Sequence, residues 1–236
     1  MDAPIQLLIH GATGRMGQAL LRLAAEDPAR FALAGAVSRK PEQRVVDGVP
    51  QFAAAELNGV PPFDVAVDFS QPEAFDAVLA LCVARKAGFV SGTTGLSDTQ
   101  RAALAEAAAA IPVLWAPNFS LGVAVLADAV ARAAHALQGW DCDVVEAHHA
   151  GKRDAPSGTA LALGEAAAGG GATPRYASLR AGDIVGEHTV QFAGAGERVE
   201  FIHRAASRDV FARGALHAAR WLAGRPPGQY RMADLL

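Results

Sequence analysis

The feature that most limits what this chain can fold into is the rhythm of its first half, where short β-rich runs alternate with longer helical patterns. The runs Ile5 to Ile9, Phe31 to Val37, Val65 to Phe69, Phe89 to Val90 and Val113 to Trp115 read as strands. Met16 to Glu26, Pro72 to Ala87 and Asp98 to Ala109 read as the helices between them, the last opened by a Ser97-x-x-Gln100 capping box. Strands separated by helices pair in parallel, because only a long crossover returns the chain to the same edge. The expected class is α/β, a doubly wound parallel sheet covered by helices.

The rhythm changes after Ala116-Pro117-Asn118. A helical stretch from Val123 to Leu137 leads into Val144-Val145-Glu146, a polar loop and a helix from about Gly158 to Ala168. Gly169-Gly170-Gly171 breaks the pattern, and Tyr176 to Arg180, His188 to Phe192 and Val199 to His203 read as successive strands joined by glycine-containing turns, before a last helix over Val210 to Leu222. A second, α+β domain is therefore expected. At 236 residues the chain is long enough for two modest cores.

Composition narrows the function. Half the residues are apolar, yet no run approaches the roughly 20 uninterrupted apolar residues of a membrane span. The start lacks the basic and apolar regions of a secretion signal, so a cytoplasmic protein is expected. Cys82 and Cys142 have no metal-ligand spacing, so neither a disulfide framework nor a metal site is expected. A net charge of −3 without a long basic run argues against nucleic acid and favours small anionic ligands met by local cations.

The first chemical signal is Gly11-Ala12-Thr13-Gly14-Arg15-Met16-Gly17, between the first strand and first helix. Glycines there let the backbone turn sharply and approach a pyrophosphate at the positive end of a helix dipole. The spacing is Gly-x-x-Gly-x-x-Gly, and the alternative is a turn that merely lets helix pack on strand. The second strand runs into Ser38-Arg39-Lys40, where an NAD site commonly carries an acid. Arg39, with Lys40, suits the 2′-phosphate of NADP, although two cations can also simply solvate a strand end. Asp68-Phe69-Ser70, Gly92-Thr93-Thr94-Gly95 and Ala116-Pro117-Asn118-Phe119-Ser120 follow later strands, where a doubly wound sheet opens its ligand crevice; each is equally compatible with ordinary turn chemistry.

The densest segment runs from Glu146 to Ala160: Glu-Ala-His-His-Ala-Gly-Lys-Arg-Asp-Ala-Pro-Ser-Gly-Thr-Ala. Two histidines, a lysine and a Ser-Gly-Thr helix start offer proton donors, cations and free amides for an anionic substrate. Metal binding is a weaker reading, since neighbouring histidines point apart and no cysteine joins them.

Together with Gly11 to Gly17, Gly92 to Gly95 and Arg180-Ala-Gly-Asp-Ile-Val-Gly-Glu-His-Thr189, this segment resembles the 4-hydroxy-tetrahydrodipicolinate reductase family, in the same order along nearly the whole chain. The resemblance implies a Rossmann-type dinucleotide-binding domain over 1–118 and 209–236, and a substrate-binding domain over 119–208 whose sheet builds a homotetramer. It implies NAD(P)H-dependent reduction of a cyclic hydroxy-dicarboxylate to tetrahydrodipicolinate, with loss of water, on the route to diaminopimelate and lysine.

Matched by motif, His148 is the expected proton donor and acceptor and Lys152 a second donor. His149, Gly158 and Thr159 are expected to bind the substrate carboxylate. The cofactor residues implied are Gly11, Ala12, Thr13, Gly14, Arg15, Met16, Arg39, Gly92, Thr93, Thr94, Ala116, Pro117, Asn118 and Phe119. Many members carry an acid where this chain has Ser38, which points to NADPH as preferred donor over NADH. The rivals are another dehydrogenase of the same plan and a non-catalytic NADP sensor. A semialdehyde dehydrogenase needs a thiol nucleophile, and neither cysteine lies in these loops. A sensor has no use for the His-Lys pair.

Overall fold

The computed structural model describes residues 3–236. Its internal contacts divide the chain into two units, Met1–Phe119 with Phe211–Leu235, and Ser120–Val210 with Leu236.

The first unit is built on β1 (Ile5–His10), β2 (Phe31–Ser38), β3 (Val45–Val46), β4 (Val49–Ala53), β5 (Val65–Asp68), β6 (Gly88–Ser91), β7 (Pro112–Trp115) and β12 (Gly228–Tyr230). Its helices are α1 (Arg15–Ala25), α2 (Pro72–Arg85), α3 (Asp98–Ala107) and α6 (Asp209–Leu222). The sheet order is β12-β7-β6-β5-β1-β2-β4-β3, parallel except for the β3–β4 hairpin. β5 and β6 are buried at every residue, as parallel strands covered on both faces must be. β1 lies between β5 and β2, so the chain order reverses there and a crevice opens at the strand ends, where His10, Ser38, Asp68 and Ser91 stand. α1 buries Gly17, Leu20, Leu23 and Ala24 at helical spacing.

The strands β3, β4 and β12 add to what the periodicity shows. β3 is two exposed valines, β4 is half-buried and carries Pro50, and β12 is a three-residue edge strand. Strands this short leave no alternation to read.

The second unit comprises α4 (Leu121–Ala136), β8 (Asp141–His148), α5 (Gly158–Gly169), β9 (Pro174–Arg180), β10 (Gly186–Gly194) and β11 (Glu197–Ala205). Ser120 and Ser157 cap the two helices, accepting from the amides of Val123 and Ala160. The sheet order is β11-β10-β8-β9, with β9 parallel to β8 and the other pairs antiparallel. β9, β10 and β11 follow one another through connections that contain Gly182 and Gly196, but β9 and β10 do not pair, because β8 lies between them. The loop between them is tied to the end of β8 instead, with Ala181 N–H donating to His148 O at 3.0 Å and Ala150 N–H to Gly182 O at 3.1 Å.

One face of this sheet packs on α4 and α5 through Leu126, Val130, Val144, Leu163, Val190 and Phe192. Strand alternation puts Glu146 and His148 of β8 on the same buried side as Val144, and His188 of β10 on the same side as Val190.

Candidate active site

In the first unit the glycine turn is shaped by two close approaches. Gly11 has φ +80°, and a Cβ there would collide with the Phe69 carbonyl. A Cβ on Gly17 would collide with Gly11 O and lie 2.7 Å from Ala12 Cα, so this glycine lets α1 sit against the turn. The amides of Gly11 and Ala12 both donate to Val37 O at 3.0 Å, leaving Thr13, Gly14 and Arg15 exposed at the helix start. Two openings flank the turn. One, of about 480 Å³, is lined by His10, Gly11, Thr13, Gly14, Ser38 and Arg39, with Phe69 and Ser70 opposite. The other, of about 740 Å³, has Thr13, Ser38 and Lys40 in its wall. Ser38 Oγ is buried with no hydrogen-bond partner. A buried hydroxyl that borders both openings and lacks a partner fits a polar ligand that completes it.

The other expected cofactor residues line neither opening. Gly92 packs against the Phe69 ring, which itself lies 5.4 Å from the Phe119 ring. Thr93 is buried and engaged on every side: its hydroxyl donates to Asp68 Oδ2 at 2.8 Å and accepts from Ser70 N–H, its amide donates to Ser91 Oγ, and its carbonyl accepts from Trp115 Nε1–H. The Thr93 hydroxyl, expected among the cofactor contacts, is thus tied into the scaffold. Thr94 and Pro117 are exposed, Met16 and Asn118 half-buried, and Ala116 and Phe119 buried. Beneath the turn, Asp68 also meets His10 Nδ1 at 2.7 Å and Ser91 Oγ–H at 2.8 Å. Burial works to raise the Asp68 pKa, but its hydrogen bonds and the adjacent His10 bring it below the usual carboxylate range.

In the second unit the β8 loop is organised by a buried carboxylate. Glu146 accepts from Arg180 twice, Nη2 to Oε1 at 2.7 Å and Nη1 to Oε2 at 2.9 Å, from the Ser157 amide at 3.3 Å, and from His148 Nδ1. The parallel register of β8 and β9 sets Arg180 beside His148 and Ser178 beside Glu146. Burial works to raise the Glu146 pKa, but hydrogen bonds from Arg180, Ser178 and His148 take it down to about 2. An ionised Glu146 is acceptor-only, so His148 holds its ring proton on Nδ1 and turns Nε2 toward Gly186, where an added Cβ would come within 3.0 Å of it. Burial lowers the His148 pKa, Glu146 opposes this, and Lys152 and Arg180 add to it.

His188 packs edge-on against His148 with centroids 5.1 Å apart, and its Nε2 lies 3.1 Å from Ser157 Oγ. Burial, with the neighbouring His148, pushes it down to about 4, so the ring is neutral near pH 7. Lys152 is partly sheltered and pairs with Asp154 at 2.8 Å, while His149 is half-buried near Gly151. Gly158 opens α5 with free space where a side chain would stand, and Thr159 follows, half-buried. The loop thus brings together a fixed imidazole, an ammonium and a helix N-terminus, a set that can bind carboxylates and move a proton. Glu146, Arg180 and His188 join the site although sequence reasoning alone gives them no part in it. For Glu146 and His188 the signal was the two-residue alternation that puts Glu146 with His148, and His188 with Val190, on the buried face; Arg180 left no such signal.

The family model described as "Dihydrodipicolinate reductase, N-terminus" matches residues 5–119, and that described as "Dihydrodipicolinate reductase, C-terminus" matches 122–236. A 4-hydroxy-tetrahydrodipicolinate reductase of Stenotrophomonas maltophilia (strain K279a) is 70% identical over 236 residues, covering 100% of this chain and 99% of its own length. That of Xanthomonas campestris pv. campestris (strain B100) is 67% identical, covering 99% and 98%. Among solved structures, a dipicolinate-bound dihydrodipicolinate reductase from Paenisporosarcina sp. TG-14 superposes with a TM-score of 0.85 at 22% identity, covering 99% of this chain and 100% of that one.

Proposed function

The chain belongs to the dihydrodipicolinate reductase family, and from that premise we propose which of its residues carry the reaction and which donor it prefers. The enzyme uses NAD(P)H to reduce 4-hydroxy-tetrahydrodipicolinate to tetrahydrodipicolinate, with loss of water, in lysine and diaminopimelate biosynthesis. The single observation that carries the residue assignment is the Glu146–His148 contact inside a loop that also holds Lys152 and the α5 N-terminus.

When bound, the reduced dinucleotide supplies the hydride. His148 gains and loses a second proton at Nε2, because the first, on Nδ1, is committed to Glu146. The Lys152 ammonium holds the anionic substrate and stabilises the negative charge that develops as the conjugated imine is reduced. His149 and the amides of Gly158 and Thr159 hold carboxylate, the glycine leaving room for it to approach. Dipicolinate, the ligand named for the Paenisporosarcina enzyme, has the two carboxylates such a loop would grip.

NADPH is the preferred donor. Ser38 places an unpartnered hydroxyl, not a repelling acid, at the end of β2, with Arg39 and Lys40 next to it. The protein works as a homotetramer in the cytoplasm: exposed Leu179 and Ile202 on the outer face of the four-stranded sheet suit contact between copies, and two buried free thiols suit a reducing compartment.

The test is NADPH oxidation coupled to dihydrodipicolinate synthase with pyruvate and aspartate semialdehyde. His148→Gln and Lys152→Ala should each lower turnover roughly 10²-fold or more. Turnover that survives both would move the acid elsewhere. NADH in place of NADPH should lower kcat/KM about tenfold, as loss of one charge-assisted hydrogen bond does; equal values would remove the preference.

A further inference from the structure

The buried pair beneath the glycine turn takes no part in hydride or proton transfer. His10 ends β1 and Asp68 ends β5, and the parallel register sets them directly opposite each other. Their side chains are 3% and 0% exposed. Asp68 receives four donors: His10 Nδ1 at 2.7 Å and Ser70 N–H at 3.2 Å on Oδ1, and the hydroxyls of Ser91 and Thr93 at 2.8 Å each on Oδ2. A carboxylate so surrounded can only accept, which puts the ring proton of His10 on Nδ1. Strand packing alone does not call for this arrangement, since two apolar side chains of similar volume would fill the space without burying a charge.

What the pair provides is a fixed ring. Its second nitrogen, Nε2, has no hydrogen-bond partner among the described residues and is not wholly closed off from solvent. His10 is part of the wall of the 480 Å³ opening, beside Gly11, Gly14 and Arg39. The residue therefore turns one ring nitrogen to a buried anion and leaves the other facing the cleft.

We propose that His10 is a dinucleotide-binding residue whose Nε2 accepts a hydrogen bond from a ribose hydroxyl of the dinucleotide, and that Asp68 is a positioning residue that sets its tautomer and orientation. The proposal rests on the reading of this cleft as the NAD(P)H site. Ser91 and Thr93 act one step further out, holding Asp68 so that the carboxylate cannot turn away from the ring.

The test is a fluorescence titration of NADPH into the purified enzyme without dicarboxylate. His10→Asn keeps an amide near the Nδ1 position, so Asp68 retains a partner while the outer nitrogen is lost. Its Kd for NADPH should rise about fivefold, the effect of one lost neutral hydrogen bond. His10→Gln, which can extend an amide to the Nε2 position, should recover part of that loss. In turnover the same factor should appear in the KM for NADPH and not in that for the dicarboxylate. Wild-type affinity in His10→Asn would overturn the proposal, as would equal losses in both variants alongside a lowered unfolding temperature, which is the signature of a packing role. Should His10→Asn not fold, Asp68→Asn is read instead: weakened NADPH binding supports the proposal and unchanged binding overturns it. Failure of the wild type to bind NADPH would instead sink the cofactor reading beneath it.

Discussion

The glycine turn of the first unit is shaped by backbone, whereas the loop of the second is organised around a buried charge. Around Gly11 and Gly17 the contacts are main chain against main chain, and any side chain would close them. Around Glu146 the contacts are between side chains from β8 and β9, with His188 of β10 packed alongside. The difference teaches where each site is fragile. A backbone site fails by added volume, and a buried charge network fails by losing one partner.

The largest effect should therefore come from the second unit. Glu146→Ala leaves the Arg180 guanidinium and the His148 ring without their shared acceptor, and should cost about 3–5 kcal/mol in denaturant unfolding. A loss under about 1 kcal/mol would mean that the carboxylate is replaceable by water and that the contrast between the units is wrong.

Acid separates the units next. The unfolded His188 ring gains a proton below its ordinary value of 6.5, but the folded ring only below about 4. Between these values the unfolded state binds more protons, so stability is full above about 6.5 and falls as the pH drops, by roughly 3 kcal/mol at most. The lowered values of His148 and His203 act in the same direction. The lowered Asp68 pKa contributes stability that is lost only below the ordinary carboxylate range. Hydrogen exchange between pH 7 and 4 should show β8 and β10 losing protection before β5. Simultaneous loss, or a His188→Phe variant with an unchanged acid profile, would refute this.

Glycine substitutions sharpen the contrast at smaller cost. Gly17→Ala forces α1 off the turn, and should destabilise by about 1–3 kcal/mol while weakening NADPH binding. Gly158→Ala meets open space, and should change stability by no more than about 0.5 kcal/mol while raising the KM for the dicarboxylate. An equal stability loss at both positions would show that the second site too is shaped by main-chain crowding.

Much of both regions was legible in the chain. The five first-half strand runs all correspond to strands of the parallel sheet, because buried strands punctuated by helices leave a local pattern. The loop from Glu146 to Thr159 declared its reactive groups by their density. What could not be read were links between distant positions: Arg180 to Glu146 over 34 residues, and His10 to Asp68 over 58. The Thr93 hydroxyl is a like case, since it looks free until Asp68 is found beside it.

By itself, the sequence determined the α/β order, the place of the glycine turn and the residues that gather at the β8 loop, because periodicity, turn chemistry and capping act over a few neighbours. Only the tertiary structure decided that β9 lies parallel beside β8, and hence that Arg180 reaches the carboxylate holding His148. It alone also set His10 against Asp68 at the ends of two neighbouring strands. Strand order and register place side chains from far-apart stretches within hydrogen-bonding distance, and no local pattern encodes which two strands will lie side by side.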